Sequence, residues 1–213
     1  MRRFLRVANP RSADKICFIN LQTQQLFMSF SLFGKKEDNA PESIFSDRTF
    51  MTGAAKMNAC LVLAKEQPQT LFICWFADTV KKFKAAFLQA GLDESRVMDA
   101  KNVHSGMLAH KTPVFAEHYP LHSKELVLVE HWNLTQIPVY SAMDEALFLH
   151  FGSEKMLPLM KLLGMKENDV IEHSFVTKSI LKGQDKIAAQ VQNELLANSQ
   201  AEWMERNIKH QNS

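Results

Sequence analysis

Residues 71 to 76 read LFICWF, six apolar residues without a polar break. A strand with one wet face alternates apolar and polar side chains, whereas an unbroken apolar run needs cover on both faces, as in a parallel sheet packed between helices. The residues that follow supply the cover. Asp78 stands as a cap before TVKKFKAAFLQA (79–90), where Val80, Phe83, Phe87 and Leu88 form one apolar stripe, and Gly91 supplies a stop. A buried strand feeding an amphipathic helix is the repeating unit of α/β folds.

The rest of the chain repeats that unit. Thr52 predicts a capped helix through about Glu66, with Met57, Leu61 and Ala64 at helical spacing and Gln67-Pro68-Gln69 as its end. RVMDA (96–100), PVFAEH (113–118) and IPVYSA (137–142) are predicted strands, and a helix is predicted from Ser123. After Met143 no strand is predicted. Short helices fit 143–151 and 153–163, and Val176, Ile180, Ile187, Val191 and Leu195 mark one apolar stripe along a helix from 174 to about 208. At 1.5 Å per residue such a helix spans about 50 Å, more than a small domain can cover, so it wants a partner surface. The alternative is that its second half, where Asn198, Ser199 and Gln200 fall in sequence, frays or folds back.

Charge narrows the partners. The chain of 213 residues carries a formal +2, but residues 1 to 36 hold seven Lys/Arg against Asp14, which leaves the body mildly acidic. A duplex-binding domain needs a basic face to displace counterions, so nucleic acid is not expected as a partner. No run approaches the ~20 apolar residues of a membrane span. Cys17, Cys60 and Cys74 form no CxxC pair and read as free thiols of a reducing, cytoplasmic compartment. The N-terminus makes a poor export signal, because Asn9, Pro10, Arg11, Asp14 and Lys15 interrupt any apolar stretch. MSFSLF (28–33) followed by GKKEDNAPES reads instead as a fresh beginning and a linker, with Met28 as the expected translation start. The basic segment before it offers the one route to peripheral membrane association.

LGMKENDVIEHSFVTKSILKGQDKI (163–187) closely resembles the SecA family of preprotein translocase motors, at the passage from the second motor domain into the helical scaffold. SAMDEALFLHFGSEKMLPLMKLLGM, just upstream, resembles the family stretch S-M-E-D-x-L-M-R-I-F-x-S-D-R in the same order and spacing. More faintly, FMTGAAKMNACL is similar to the family's Y-M-T-E-A-E-K segment. QPQTLFICWFADTVKKFKAAFLQAGL is similar to its strand and helix with helicase motif IV, and VMDAKNVH to its L-N-A-K-x-H strand. The resemblance runs over about residues 49 to 190. It implies an α/β fold with a single RecA-like three-layer domain, a small parallel sheet and a long C-terminal α-helix of scaffold type.

Departures from the family bear on activity. Such motors hold ATP between two RecA-like domains, the first bringing the phosphate loop and magnesium-holding acid, the second the arginines that stabilise the transferred phosphate. No GxxxxGK[ST] occurs, and Gly34-Lys35-Lys36 has neither a preceding strand nor a following Ser/Thr. Where the family carries G-R-G-T-D this chain reads KTPVFAEHYPLHSKE, and Q-x-x-G-R-x-G-R-x-G is shortened to WNLTQIP. Arg96 is the only arginine between residues 49 and 205. The domain is read as degenerate, with no ATP hydrolysis, no catalytic residues and no cofactor.

Individual residues offer weaker signals. Asp144-Glu145 after IPVYSA mimics a magnesium-holding pair, yet acids in a helix's first turn favour its dipole and are the expected reading. His104, His110, His118, His122 and His131 fall within 28 residues, but Tyr119-Pro120 breaks the helical spacing of His118 and His122, so no metal site is expected. Asp78, Thr79, Glu117 and His118 fall just beyond strand ends, where open α/β sheets bind ligands, and are the cleft candidates, with capping the commoner use. His104 and Ser105 follow the second strand in the same way, and Cys74 reads as packing. Trp132 and Trp203 read as contacts to another chain, with both indoles as core of their own domain the alternative, and Val191, Leu195 and Trp203 are the partner-binding set on the long helix.

The expected organisation is therefore an N-terminal extension and linker over 1–43, a degenerate SecA-like motor domain over 44–172, and a scaffold-type helix over 173–213. The function read from this is a non-catalytic binding or assembly module near protein export, meeting a protein partner or a second copy through the C-terminal helix. The alternative is completion or regulation in trans of a nucleotide site on a SecA-type ATPase, with Arg96 as the one candidate arginine.

Overall fold

The apolar run at 71–76 supplies an interior strand, second from one edge, of a five-stranded, all-parallel sheet in the computed structural model, which describes residues 43 to 208. The strands are β1 (Phe45–Phe50), β2 (Thr70–Cys74), β3 (Val97–Asp99), β4 (Thr112–Phe115) and β5 (Ile137–Ala142), in the spatial order β1-β5-β4-β2-β3. Every residue of β2 is buried. Its alternate side chains split between the two faces: Phe72 and Cys74 join the core under one helical layer, Leu71 and Ile73 the core under the other. The doubly covered strand expected from the apolar run is what forms.

The first layer holds α1 (Gly53–Glu66) and α2 (Ala77–Gln89), which bring Ala55, Cys60, Ala64, Phe83 and Phe87 onto Phe72 and Val114. The second holds α3 (His122–His131) and short 3-10 turns over 100–108, with Val129, Trp132, Ala100 and Val103 against Ile73, Phe115 and Val139. Thr52 caps α1 as predicted, its Oγ1 accepting from Ala55 N at 3.1 Å. Asp78 does not cap α2. The cap position belongs to Phe76, which has no side-chain acceptor to offer.

Strand β1 was not foreseen. FSDRTF sets four polar residues in a row between two phenylalanines and carries no strand alternation, yet it pairs along its whole length with β5, from Phe45 opposite Ile137 to Phe50 opposite Ala142. On its other side, among the described residues, only Thr49 is paired, antiparallel to Ile171.

Beyond β5 the chain forms α4 (Ala146–His150), α5 (Met156–Leu162), α6 (Ser174–Ala188) and α7 (Gln200–Asn207). The single helix predicted from 174 to 208 is thus two helices, with residues 189 to 199 non-helical between them. Ser199 opens α7 by accepting from Glu202 N at 3.1 Å, while the Glu202 carboxylate accepts from Asn198 N at 2.7 Å, so two amides that a continuous helix would pair internally are held by side chains. The second half folds back, and Trp203, Met204 and Ile208 pack with Phe76, Tyr119, Leu121, Leu147 and Ile187. Among the described residues no helix is long and apolar enough to cross a membrane. The N-terminal extension, the Met28 start, Cys17 and the basic segment lie outside the described residues, apart from Ser43.

Candidate functional site

The strand order locates a crevice. β2 connects outward to β3 and β4 connects the other way to β5, so the chain diverges between adjacent β2 and β4, and ligands of open α/β sheets sit at the carboxyl ends of such a pair. Trp75, Phe76 and Ala77 leave β2 there, and Ala116, Glu117 and His118 leave β4. Of the four cleft candidates, Thr79 and Glu117 meet. Glu117 is buried, its Oε1 accepting from Trp75 N at 3.0 Å and Phe76 N at 3.2 Å, and its Oε2 from Thr79 Oγ1 at 2.8 Å. A carboxylate of the chain itself therefore holds the two amides that lead into α2, beside the place where a helix amino end would receive an anion.

Lys56 completes this cluster. It projects from α1, donates to Ala116 O at 2.6 Å and pairs with the Glu145 carboxylate. Burial opposes its charge, but Glu145 and then Glu117 outweigh burial and hold its pKa above the ordinary lysine value. Burial raises Glu117 to about 7, helped by Glu145 and opposed by Lys56, Thr79 and the Trp75 amide. Burial also pushes the neighbouring thiols up, Cys60 to about 12 and Cys74 well above the usual range, so both are inert packing groups. Asp144 caps a second helix: its two oxygens accept from Gly53 N, at the start of α1, at 2.8 and 3.0 Å. Asp144 and Glu145 are thus engaged by the amide of another helix and by a lysine; the helix that follows them starts at Ala146 and has no acid in its first turn, so the first-turn reading does not hold.

His118 turns to the other layer. Its Nε2 lies 2.8 Å from Asp47 Oδ1 and its Nδ1 3.0 Å from Glu125 Oε1, with all three residues buried. Burial works against the imidazolium, yet the two carboxylates overcome it and raise His118 to about 10. Burial would raise Glu125, but His118, His122 and Gln184 bring it below the usual carboxylate value. Glu125 also accepts from Tyr119 N at 2.8 Å and Gln184 Nε2 at 2.9 Å. This is a fixed ionic brace joining β1, the β4 exit, α3 and α6. Asp78 remains outside, its carboxylate 3.3 Å from Lys81 Nζ.

The returning C-terminal segment closes the crevice. Asn198 O accepts from Asp78 N at 3.0 Å. Gln200 donates to His118 O at 2.9 Å and accepts from Leu147 N at 2.8 Å. Trp203 is 0% exposed and donates to Glu194 Oε1 at 3.0 Å, a carboxylate that also receives the Tyr119 hydroxyl and lies 3.2 Å from Lys124 Nζ. Trp203 as an anchor for another chain is therefore overturned, because its indole is wholly enclosed by its own domain. Trp132 is likewise buried, against Phe115. Val191 packs partly on the Trp203 cluster, and only Leu195 of the partner-binding set is exposed.

Arg96 sits at the opposite, amino end of the sheet. Its guanidinium donates to Thr70 O, Ala64 O and Gln67 O at 3.0, 2.8 and 2.9 Å. His104, His110 and His131 are exposed and apart from the crevice, and among the described residues no group of three or more His, Cys, Asp or Glu could hold a metal ion. Sequence reading missed Lys56, Asp47, Glu125, Gln184 and Gln200. Two of them had a signal: Lys56 stands in phase with buried Cys60 and Ala64, and Gln184 with buried Ile180 and Ile187. A polar residue in the apolar stripe marks a buried partner.

Part of this chain is similar to known translocase subunits. A stretch of 51 residues is 45% identical to the protein translocase subunit SecA of Chlorobium phaeobacteroides (strain BS1), covering 24% of this chain and 5% of that protein. Another of 48 residues is 48% identical to the SecA of Acidithiobacillus ferrooxidans (strain ATCC 53993 / BNL-5-31), covering 22% and 5%. SecA 1 of Chlorobium chlorochromatii (strain CaD3) is 43% identical over 51 residues. The matched stretches span about 5% of the relatives' length, and about a quarter of the chain is a SecA-related region. No protein-family model matches the chain.

Proposed function

We propose that this protein is a non-catalytic, SecA-related binding or assembly module working alongside protein export. One observation carries the reading: the carboxyl edge of the sheet, where a nucleotide would lie, is filled from within. Glu117 takes the Trp75 and Phe76 amides that lead into α2, Asn198 O takes the Asp78 amide, Asp144 takes the first amide of α1, and α7 packs with Tyr119 and Phe76. A nucleotide phosphate entering there would find the Trp75 and Phe76 amides already accepted by Glu117 and Lys56 already held by Glu145. The export context comes from the SecA-related region. The in-trans alternative loses the arginine it rests on, because Arg96 is tied to three carbonyls away from this edge.

The test is calorimetric titration of the purified protein with ATP and magnesium, beside a phosphate-release assay. The module reading expects no saturable heat and no turnover, together with a stoichiometric complex when the protein is mixed with a purified SecA-type translocase. Magnesium-dependent binding of ATP, or turnover lost on Arg96→Ala, would overturn it.

A further inference from the structure

The helix α5 reads MLPLMKL, five large apolar side chains in seven residues, and none of the seven is buried. Leu162 is 83% exposed, and Met156 and Leu159 are also exposed. An apolar helix left open to water on this scale marks an interaction site. Phe151, five residues before α5 in sequence and 43% exposed, leans on α6 at Gly183, where an added Cβ would lie 2.6 Å from the ring. Glycine is what allows that approach. Between the ring and α6 lies a groove of about 270 Å³ lined by Phe151, Ser179, Lys182, Gly183 and Lys186.

The charge of the groove is one-sided. Lys182 and Lys186 stand one helical turn apart, neither makes an ion pair among the described residues, and no acid lines the groove; Asp185, between them in sequence, is not part of its wall. We infer that the groove, together with the exposed apolar residues of α5 that follow Phe151 in the chain, docks an acidic amphipathic helix of a partner protein. One apolar side chain of the partner would sit against Phe151, its flanking carboxylates on Lys182 and Lys186, and its remaining apolar residues on α5. A second copy would bring the same lysines against each other. An anionic bilayer would favour a flat surface and a helix with its own cationic face, which α5, with Lys161 as its single charge, lacks. The inference rests on the module reading above and assigns its surface.

The experiment is an anisotropy titration of the full chain with two labelled synthetic helices. Both carry Leu at the i, i+3 and i+7 positions, one flanked by Glu and the other by Lys. Binding should favour the Glu-flanked helix by about tenfold or more and weaken with salt. The exposed double change K182E/K186E, with its thermal melt unchanged, should reverse that preference, and Phe151→Ser should weaken both helices. Equal affinity for the two helices, or a preference untouched by K182E/K186E, overturns the assignment. So does co-sedimentation with phosphatidylcholine–phosphatidylglycerol vesicles without helix discrimination, or a dimer in light scattering that Leu162→Glu dissolves. Loss of the helix preference with nucleotide still unbound removes only this surface, whereas magnesium-dependent ATP binding removes the module reading itself.

Discussion

The carboxyl edge of the sheet and the α4–α5 flank lie close in sequence and differ in every physical respect. At the edge, amide donors meet Glu117, Asp144 and Gln200, His118 is braced by two carboxylates, and Trp203 is enclosed. At the flank, Phe151 and exposed apolar side chains of α5 face water, and Lys182 and Lys186 make no ion pair among the described residues. The place where an α/β domain ordinarily binds small molecules is finished from within, and the place it ordinarily leaves polar is unfinished. Interaction energy is available on the flank, not in the crevice.

If the edge is a structural seal, damage to it should cost stability steeply. His118→Ala leaves Asp47 and Glu125 facing one another without a cation, and is expected to lower unfolding free energy in urea by about 3–5 kcal/mol. Trp203→Ala removes the indole and frees Glu194, with an expected loss of about 3–4 kcal/mol. A loss under 1 kcal/mol for both would break the comparison, since the edge would then be no more closed than the flank.

Proton linkage sharpens it. Glu117 is raised to about 7, so the folded state holds a proton that the unfolded carboxyl releases near 4.5, and stability should fall as pH rises from about 4.5 to 7. His118 is raised to about 10, so its contribution is full below about 6.5 and lost as pH rises through 10. Urea midpoints should show two descending limbs. Glu117→Gln should flatten the first alone, at a cost of about 1 kcal/mol in the remaining hydrogen bonds. At the small end, Leu162→Gln on the open flank should change stability by less than about 0.5 kcal/mol. A large loss there would mean that α5 is already covered.

Much of the fold was legible because local signals agreed with tertiary use. The 71–76 run, the Thr52 cap and the stripe of α2 at Phe83 and Phe87 each point to the structure that forms, whereas Leu88, read into the same stripe, is 70% exposed. The misses have physical reasons. β1 looks polar because Asp47 and Thr49 are buried by a histidine and a serine from distant segments, Thr49 Oγ1 lying 3.1 Å from Ser141 Oγ. The break after α6 was hidden by an apolar stripe that runs on through Val191 and Leu195, although Ser199 with Glu202 three residues later is a helix-start pattern. Trp203 was misassigned because composition cannot separate an indole that fills its own core from one that reaches another chain. For the crevice, Thr79 and Glu117 could be named but not their use, since Lys56 and Gln200 come from segments far apart in sequence.

The seal itself is best tested by amide hydrogen exchange at Trp75, Phe76 and Asp78, with and without ATP and magnesium. These three amides donate to Glu117 and to Asn198 O, so they should be slow to exchange in the protein alone and unchanged by nucleotide. Fast exchange that slows only when nucleotide is added would contradict the account, because the crevice would then be an open binding site.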